Sequence, residues 1–281
     1  MPGASAVRPR EFVVNAQATE PDPLRIGAVS FLNALPLIVG LDGRAGVSLT
    51  RAVPSALPGM LENGALDVAL VPVIDTVRGD RDWGVVSDAC IGCDGATLTV
   101  RIFSRVDPAD IRVLRVDGDS HSSVALASVL WREKYGRELE VVPFRTDETS
   151  AEVLADCQAV LLIGDKVINP PSGLEVFSTQ VDLGATWKSL TGLPFVFAVW
   201  AVADASFADR AAEMLEVARD AGVAQASSLA DTHAEGMGWP VDLARRYLTE
   251  HLTYTLDDRH REGMRMFLEL SQGASAKRVG A

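Results

Sequence analysis

Two four-residue stretches in the first quarter of the chain echo one another: Asn33-Ala34-Leu35-Pro36 and Ser55-Ala56-Leu57-Pro58. Each sets a short polar side chain ahead of two good helix formers and a proline. That order suits a helix start, because proline in the first turn gives up an N–H that has no partner there anyway. The free N–H groups and positive dipole end of such a start can seat a carboxylate. Asp119, Ser120, His121, Ser122 and Ser123 stand together at a further strand-to-helix turn and add three hydroxyls and an imidazole. Thr97 and Thr99 are two apart in an extended stretch, so their hydroxyls share a side. Asp165 closes the apolar run "LLIGD", where a carboxylate points into a cleft or caps the next segment. Trp187, Phe195 and Phe197 can wall an apolar pocket or fill a core. If these turns converge, the chemistry is capture of a small dianion by helix ends and neutral donors.

Each residue also has a plainer use. Asn33, Ser55 and Ser122 fit helix caps, the two threonines fit strand formers, and His121 fits a solvated turn residue. His233, His251 and His260 fall in the tail without metal-ligand spacing. Cys90 and Cys93 make a C-x-x-C pair, but Gly92 and Asp94-Gly95 read as a turn and not as the helix start that activates a thiol. They are expected to be small apolar residues. The sequence holds no phosphate loop, zinc-protease helix, nucleophile elbow or dinucleotide fingerprint, so a site without metal or cofactor is expected.

The elements that must position these residues follow from apolar periodicity. From Leu24 the chain alternates strand-length apolar runs, "LRIGAVS", "VSLTRAV" and "LDVALVP", with short helical stretches, "NALPLIVGL" and "SALPGMLENG". A second series follows: "IRVLRVD", the helix "SSVALASVLWREKYG", "LEVVPF", a helix near "TSAEVLAD", and "AVLLIGD". Such alternation predicts an α/β fold with parallel sheets, here in two lobes. "GATLTVRIFSR" and "GLPFVFAVWAV" read as strands that carry the chain across and back, and the segment after Asp204 reads as helical. Lobe 1 is expected over 24–102 and 197–281, lobe 2 over 103–196, and a flexible arm over 1–23. A net charge of -12 argues against nucleic acid or an anionic membrane surface as partner. Residues 1–23 lack an apolar core of signal-peptide length, which predicts a cytoplasmic protein.

"RIGAVSFLNALPL", "GALDVALVPV", "IGCDGATLTV", "DSHSSVALA", "LLIGD" and "DLGATWKSLTGLPFVFAVW", in that order over roughly residues 24 to 200, resemble the chorismate dehydratases of the futalosine route to menaquinone. The resemblance implies a fold like that of type II periplasmic solute-binding proteins, two α/β lobes with two crossing hinge strands, here with a helical C-terminal segment. It implies a hydro-lyase that removes water from chorismate to give 3-(1-carboxyvinyloxy)benzoate in the interlobe cleft. Carried over by position, Asn33 hydrogen-bonds the reacting ring or its leaving hydroxyl, and Ser55 with Ser120, Ser122 and Ser123 holds carboxylates. Thr99 stands where the family usually has serine, and His121 where members often have arginine, with Lys166 either a compensating charge or, as its plainer use, a solvated lysine. The catalytic candidates are thus Asn33, Thr99 and His121. Ser30, Phe31, Gly95, Thr97, Ile163, Gly164, Asp165 and Phe195 complete the binding set. The proton acceptor is expected to be the substrate's own enolpyruvyl carboxylate, with His121 the rival.

Two other readings stay open: the sister lyase of that route, which acts on cyclic dehypoxanthine futalosine, and a non-catalytic binding protein for a small carboxylate. The segments "SFLNALPL", "GCDG" and "LGATWKSLTGLPF" suit the dehydratase better. A homodimer contact is open to the helical tail.

Overall fold

Apolar runs build two separate sheets. The computed structural model describes residues 22–81, 83–144, 154 and 156–278. All of the expected arm except Asp22 and Pro23, and most of the expected helix near 149–156, lie outside them. The first sheet begins with β1 (Leu24–Val29), β2 (Val47–Ala52), β3 (Val68–Pro72) and β4 (Gly84–Cys93). The second holds β5 (Val100–Ser104), β6 (Val113–Asp117), β7 (Glu140–Phe144), β8 (Ala159–Ile163) and β9 (Thr179–Asp182). The chain then returns as β10 (Phe195–Val202) and β11 (Thr253–Thr255). The strand orders are β11-β4-β10-β3-β1-β2 and β7-β6-β8-β5-β9.

Both sheets are mixed. β1 is parallel to β2 and β3, and β6 to β7 and β8, as alternation with crossover segments requires. β10 runs antiparallel to β3 and β4, and β5 antiparallel to β8 and β9, because these strands follow the crossings between sheets. The ladders change sheet between Cys93 and Val100 and again between Asp182 and Phe195, on the N-terminal side of the expected lobe edges. The two crossings touch at Gly184, where a Cβ would lie 2.6 Å from the Gly95 carbonyl oxygen and 2.7 Å from Cys93 Sγ. Only glycine fits so close an approach.

The helices are α1 (Leu57–Glu62), α2 (His121–Tyr135), α3 (Asp165–Ile168), α4 (Leu183–Thr191), α5 (Ala208–Ala224), α6 (Ala226–His233), α7 (Val241–Arg246) and α8 (Asp258–Arg278). Among the described residues, none is long and apolar enough to cross a membrane. α2 and α4 carry the signals their sequences announce. Ser120 and Asp182 accept the N-terminal bonds, and Gly136 and Gly192 close the C-terminal ends in the left-handed region.

Three local expectations change. "NALPLIVGL" forms only a 3-10 turn, Leu32–Leu37, capped at Phe31 without a side-chain bond, so Asn33 lies inside the turn and is no cap. Pro36 lacks the N–H that a longer α-helix would use, and its backbone is pressed by Gly222 of α5, whose Cβ would fall 1.9 Å from the Pro36 oxygen. Ser55 precedes the N-cap Ala56 of α1 and does not cap it. Ser122 is also no cap: its Oγ accepts from the Ile74 N–H at 3.3 Å. The C-x-x-C pair sits inside β4 and not at a turn. Gly92 is required there by the ladder, since a Cβ would stand 2.8 Å from Thr253 Oγ1 and 2.9 Å from the Phe195 oxygen.

Candidate functional site

Strand ends from both sheets line one shared cavity. Phe31 and Asn33 reach it from the segment after β1, Thr97 and Thr99 from the first crossing, and Ser120 and Ser123 from the start of α2. Ile163 and Gly164 close it from the end of β8. Gly164 takes φ +59°, and a Cβ there would meet the Phe31 ring at 2.9 Å, so the ring of one sheet's segment lies directly on the backbone of the other's. Among the described residues, none that lines the cavity carries a carboxylate or a basic side chain. An anion held there rests on dipoles, hydroxyls and amides.

At one end the donors come from α2. Ser120 Oγ accepts the Ser123 N–H at 3.3 Å and donates to Ser123 Oγ at 2.8 Å, which leaves the Ser123 hydroxyl proton for another acceptor. The first N–H groups of a 15-residue helix and its positive dipole end stand beside them.

The other end is built around a residue that no local pattern singles out. Tyr247 lines the cavity, is 1 % exposed, and opens a π-helical turn, Tyr247–His251. Its hydroxyl lies 2.7 Å from Thr99 Oγ1. Burial drives its pKa well above the ordinary phenol value. The ring stacks on Trp239, centroids 4.8 Å apart at 20°. Trp239 Nε1 in turn donates to Asp165 Oδ1 at 2.8 Å. Burial is the largest influence on Asp165 and raises its pKa.

Thr97 and Thr99 flank Leu98, whose φ of +67° is the one positive value among the described non-glycine residues. The Asp182 carboxylate holds that strained backbone, accepting from the Thr97 N–H at 3.0 Å and the Leu98 N–H at 2.8 Å. The same side chain caps α4 through the Ala185 N–H at 3.0 Å.

Other candidates lie elsewhere. His121 points away from the cavity: its Nδ1 is 2.6 Å from Asp75 Oδ2, a fully buried carboxylate that Arg78 and Arg81 approach to 3.6 Å. His121 and Ser55 share a neighbouring depression with Arg81 and Trp83. Ser30, Gly95, Ser122 and Asp165 are not among the cavity's lining residues. Phe195 and Trp187 are core, edge-to-face at 5.4 Å, while Phe197 beside them does wall the cavity. Lys166 pairs with Asp119 at 2.6 Å. The buried thiols of Cys90 and Cys93 are pushed up to about 12 by desolvation and are inert at neutral pH.

Two α/β sheets joined by two crossings around a shared cavity define a protein of the solute-binding-protein-like class. The likeness holds against a solved structure from Archaeoglobus fulgidus, with a TM-score of 0.65 at 15% identity over 90% of this chain and 97% of that one. It also holds against the alkanesulfonate-binding protein of Xanthomonas axonopodis pv. citri, at 0.61 and 14% identity over 94% of each. Within that class, residues 24–272 match the family model for menaquinone biosynthesis, and the chain belongs to that family. A curated relative, the chorismate dehydratase of Thermus thermophilus, is 27% identical over 88% of this chain and 94% of its own length.

Proposed function

We propose that the protein is a hydro-lyase that converts chorismate to 3-(1-carboxyvinyloxy)benzoate. The observation that carries the reading is the cavity, uncharged and polar at two ends, in a member of a menaquinone biosynthesis family. The ring carboxylate is received by Ser120, Ser123 and the start of α2, and the reacting edge of the ring lies at Asn33 and Thr99. Loss of the ring C3 proton is assisted by conjugation to that carboxylate, where the α2 dipole stabilises the charge that develops. Loss of the C4 hydroxyl then completes an aromatic ring, which supplies the driving force. Phe31 and Phe197 hold the ring flat, and the cleft keeps the enolpyruvyl ether from competing rearrangement.

The proton acceptor in this reading is the enolpyruvyl carboxylate of the substrate itself. His121 is turned to Asp75 and serves as a tie between the two sheets' connections. H121Q should therefore retain near-normal turnover; loss of turnover with binding intact would return the base to His121. Two lobes with their edges at the crossings, 94–99 and 183–194, enclose the site, and a metabolite of this kind is made and used in the cytoplasm.

The direct test is to incubate the purified protein with chorismate, without added cofactor or metal, and to follow products by liquid chromatography with mass detection. An enzyme-dependent species lighter by one water, with an aromatic absorbance, is expected. Tight binding by calorimetry with chorismate unchanged would replace the reading with a carboxylate-binding protein, and neither binding nor turnover would turn attention to the sister lyase's substrate.

A further inference from the structure

We infer that a ligand reaches the cavity by parting the seam between α3 and Trp239, which the Asp165–Trp239 hydrogen bond bolts, while the opposite seam at Asp75 and His121 stays shut. The inference needs the cavity to be the ligand's seat, as in the proposed function, but not the identity of the ligand.

The hydroxyls of the cavity are shut in. Of Thr97, Thr99, Ser120 and Ser123, which line it, none is more than 8 % exposed, so a ligand comes to rest among them only after the two sheets part. Two seams between the sheets border the cavity. One lies where the segment after β3 meets the start of α2. There His121 Nδ1 stands 2.6 Å from Asp75 Oδ2, and the Ile74 N–H donates to Ser122 Oγ. Val73 belongs to a buried cluster that runs through Phe195 and Val199 of β10, Leu126 and Leu130 of α2, and Phe267 of α8. Arg132 of α2 also donates to the Leu270 carbonyl of α8 at 2.9 Å. Parting this seam would expose apolar core and strip the fully buried Asp75 carboxylate of its imidazole partner, so it resists.

The other seam is thin. α3 contributes no fully buried residue to it. Trp239 Nε1 reaches across to Asp165 Oδ1, and Ile168 rests half-buried against the core of the first sheet. Asn169, at the end of α3, lies against Gly238, where a Cβ would stand 2.7 Å from its Nδ2. The inner border of the seam is the Phe31 ring on the Gly164 backbone, and both residues line the cavity, so parting it uncovers the cavity directly. Each side keeps its own anchorage as it moves. Trp239 stays stacked on Tyr247, and Lys166 ties α3 to Asp119 beside α2. The polar tie that opening breaks is the bond from indole to carboxylate.

A cysteine placed at Ala198, a cavity-lining position on β10, reports opening through its reaction with methyl methanethiosulfonate in the protein without ligand. When closing outpaces the reaction, the labelling rate follows the fraction open. W239F and D165A each remove the bolt, and each should speed labelling of A198C at least about 10-fold, the factor for one hydrogen bond to a charged group. H121A, in the opposite seam, should change the rate by less than about twofold, because buried apolar surface holds that seam. Cys90 and Cys93, buried in β4, control for global unfolding in the same samples and should stay unlabelled. A labelling rate that W239F and D165A leave unchanged, or that H121A raises as much as they do, would overturn the choice of seam. Labelling of A198C that rises only in step with Cys90 and Cys93 would overturn it too, since the variants would then unfold the chain and not open it. The labelling contains no chorismate, so a failed turnover assay sinks the proposed reaction alone and a failed labelling result sinks the seam alone.

Discussion

Replacing Asp182 with Asn should loosen the crossing that carries Thr97 and Thr99. In the native chain Oδ1 accepts from the Thr97 and Ala185 N–H groups and Oδ2 from the Leu98 N–H, all within 2.8–3.0 Å. The amide can keep its oxygen on the first two, but its NH2 then faces the Leu98 N–H, donor to donor. The flipped orientation is worse, with two such conflicts. The loss is one hydrogen bond to a charged group, about 1.5–3 kcal/mol. Part of it is offset as Leu98 relaxes from φ +67°, a conformation that costs about 1–2 kcal/mol. The expected net destabilisation is about 1–2 kcal/mol by urea unfolding. Chorismate turnover should suffer more than stability, because the hydroxyl of Thr99 no longer meets Tyr247 at the native angle. Stability within about 0.5 kcal/mol of wild type, with unshifted Thr97 to Thr99 amide resonances, would refute the role given to Asp182.

Three further outcomes follow from other parts of the molecule. G222A puts a methyl on the Pro36 carbonyl and should cost about 2–3 kcal/mol, read as a lower thermal midpoint together with weaker ligand binding, since the Asn33 turn must shift. Asp165 has a raised pKa in the fold, so the folded protein binds more protons than the unfolded chain between the unfolded and folded values, and stability falls as pH rises through that window. Denaturation from about pH 4 to about pH 7 should show wild type losing ground to D165N as pH rises; a gap independent of pH would contradict this. Cys90 and Cys93, pushed up to about 12, should resist iodoacetamide at about pH 8 in the native protein and react once it is unfolded.

How far the sequence reached depended on whether a signal was local. Strands β1, β3 and β8 were readable because parallel strands buried on both faces are unbroken apolar runs, and α2 because its cap and its closing glycine lie in its own sequence. β4 was not, since "GVVSDACIGC" mixes turn formers with apolar residues, and it is a strand only because β10 and β11 flank it. Asn33 and Thr99 were singled out, but the hydroxyl that Thr99 meets is that of Tyr247, 148 positions further on in a tail that shows only helical periodicity. His121 looked equally suited to the cavity. Its ring is claimed instead by Asp75, another pairing that no local pattern announces.

The uncharged lining has a consequence for the traffic of ligands through the cleft. Under the proposed reaction both the molecule that arrives and the one that departs are dianions, and among the described residues no fixed cation lines the cavity to tell them apart or to detain either. What separates them is one hydroxyl and the flatness of the ring. The protein therefore gains little leverage over direction from binding, and the product is built to compete for the same seat. Irreversibility must come from the aromatic ring itself, and throughput from how fast the cell draws the product away.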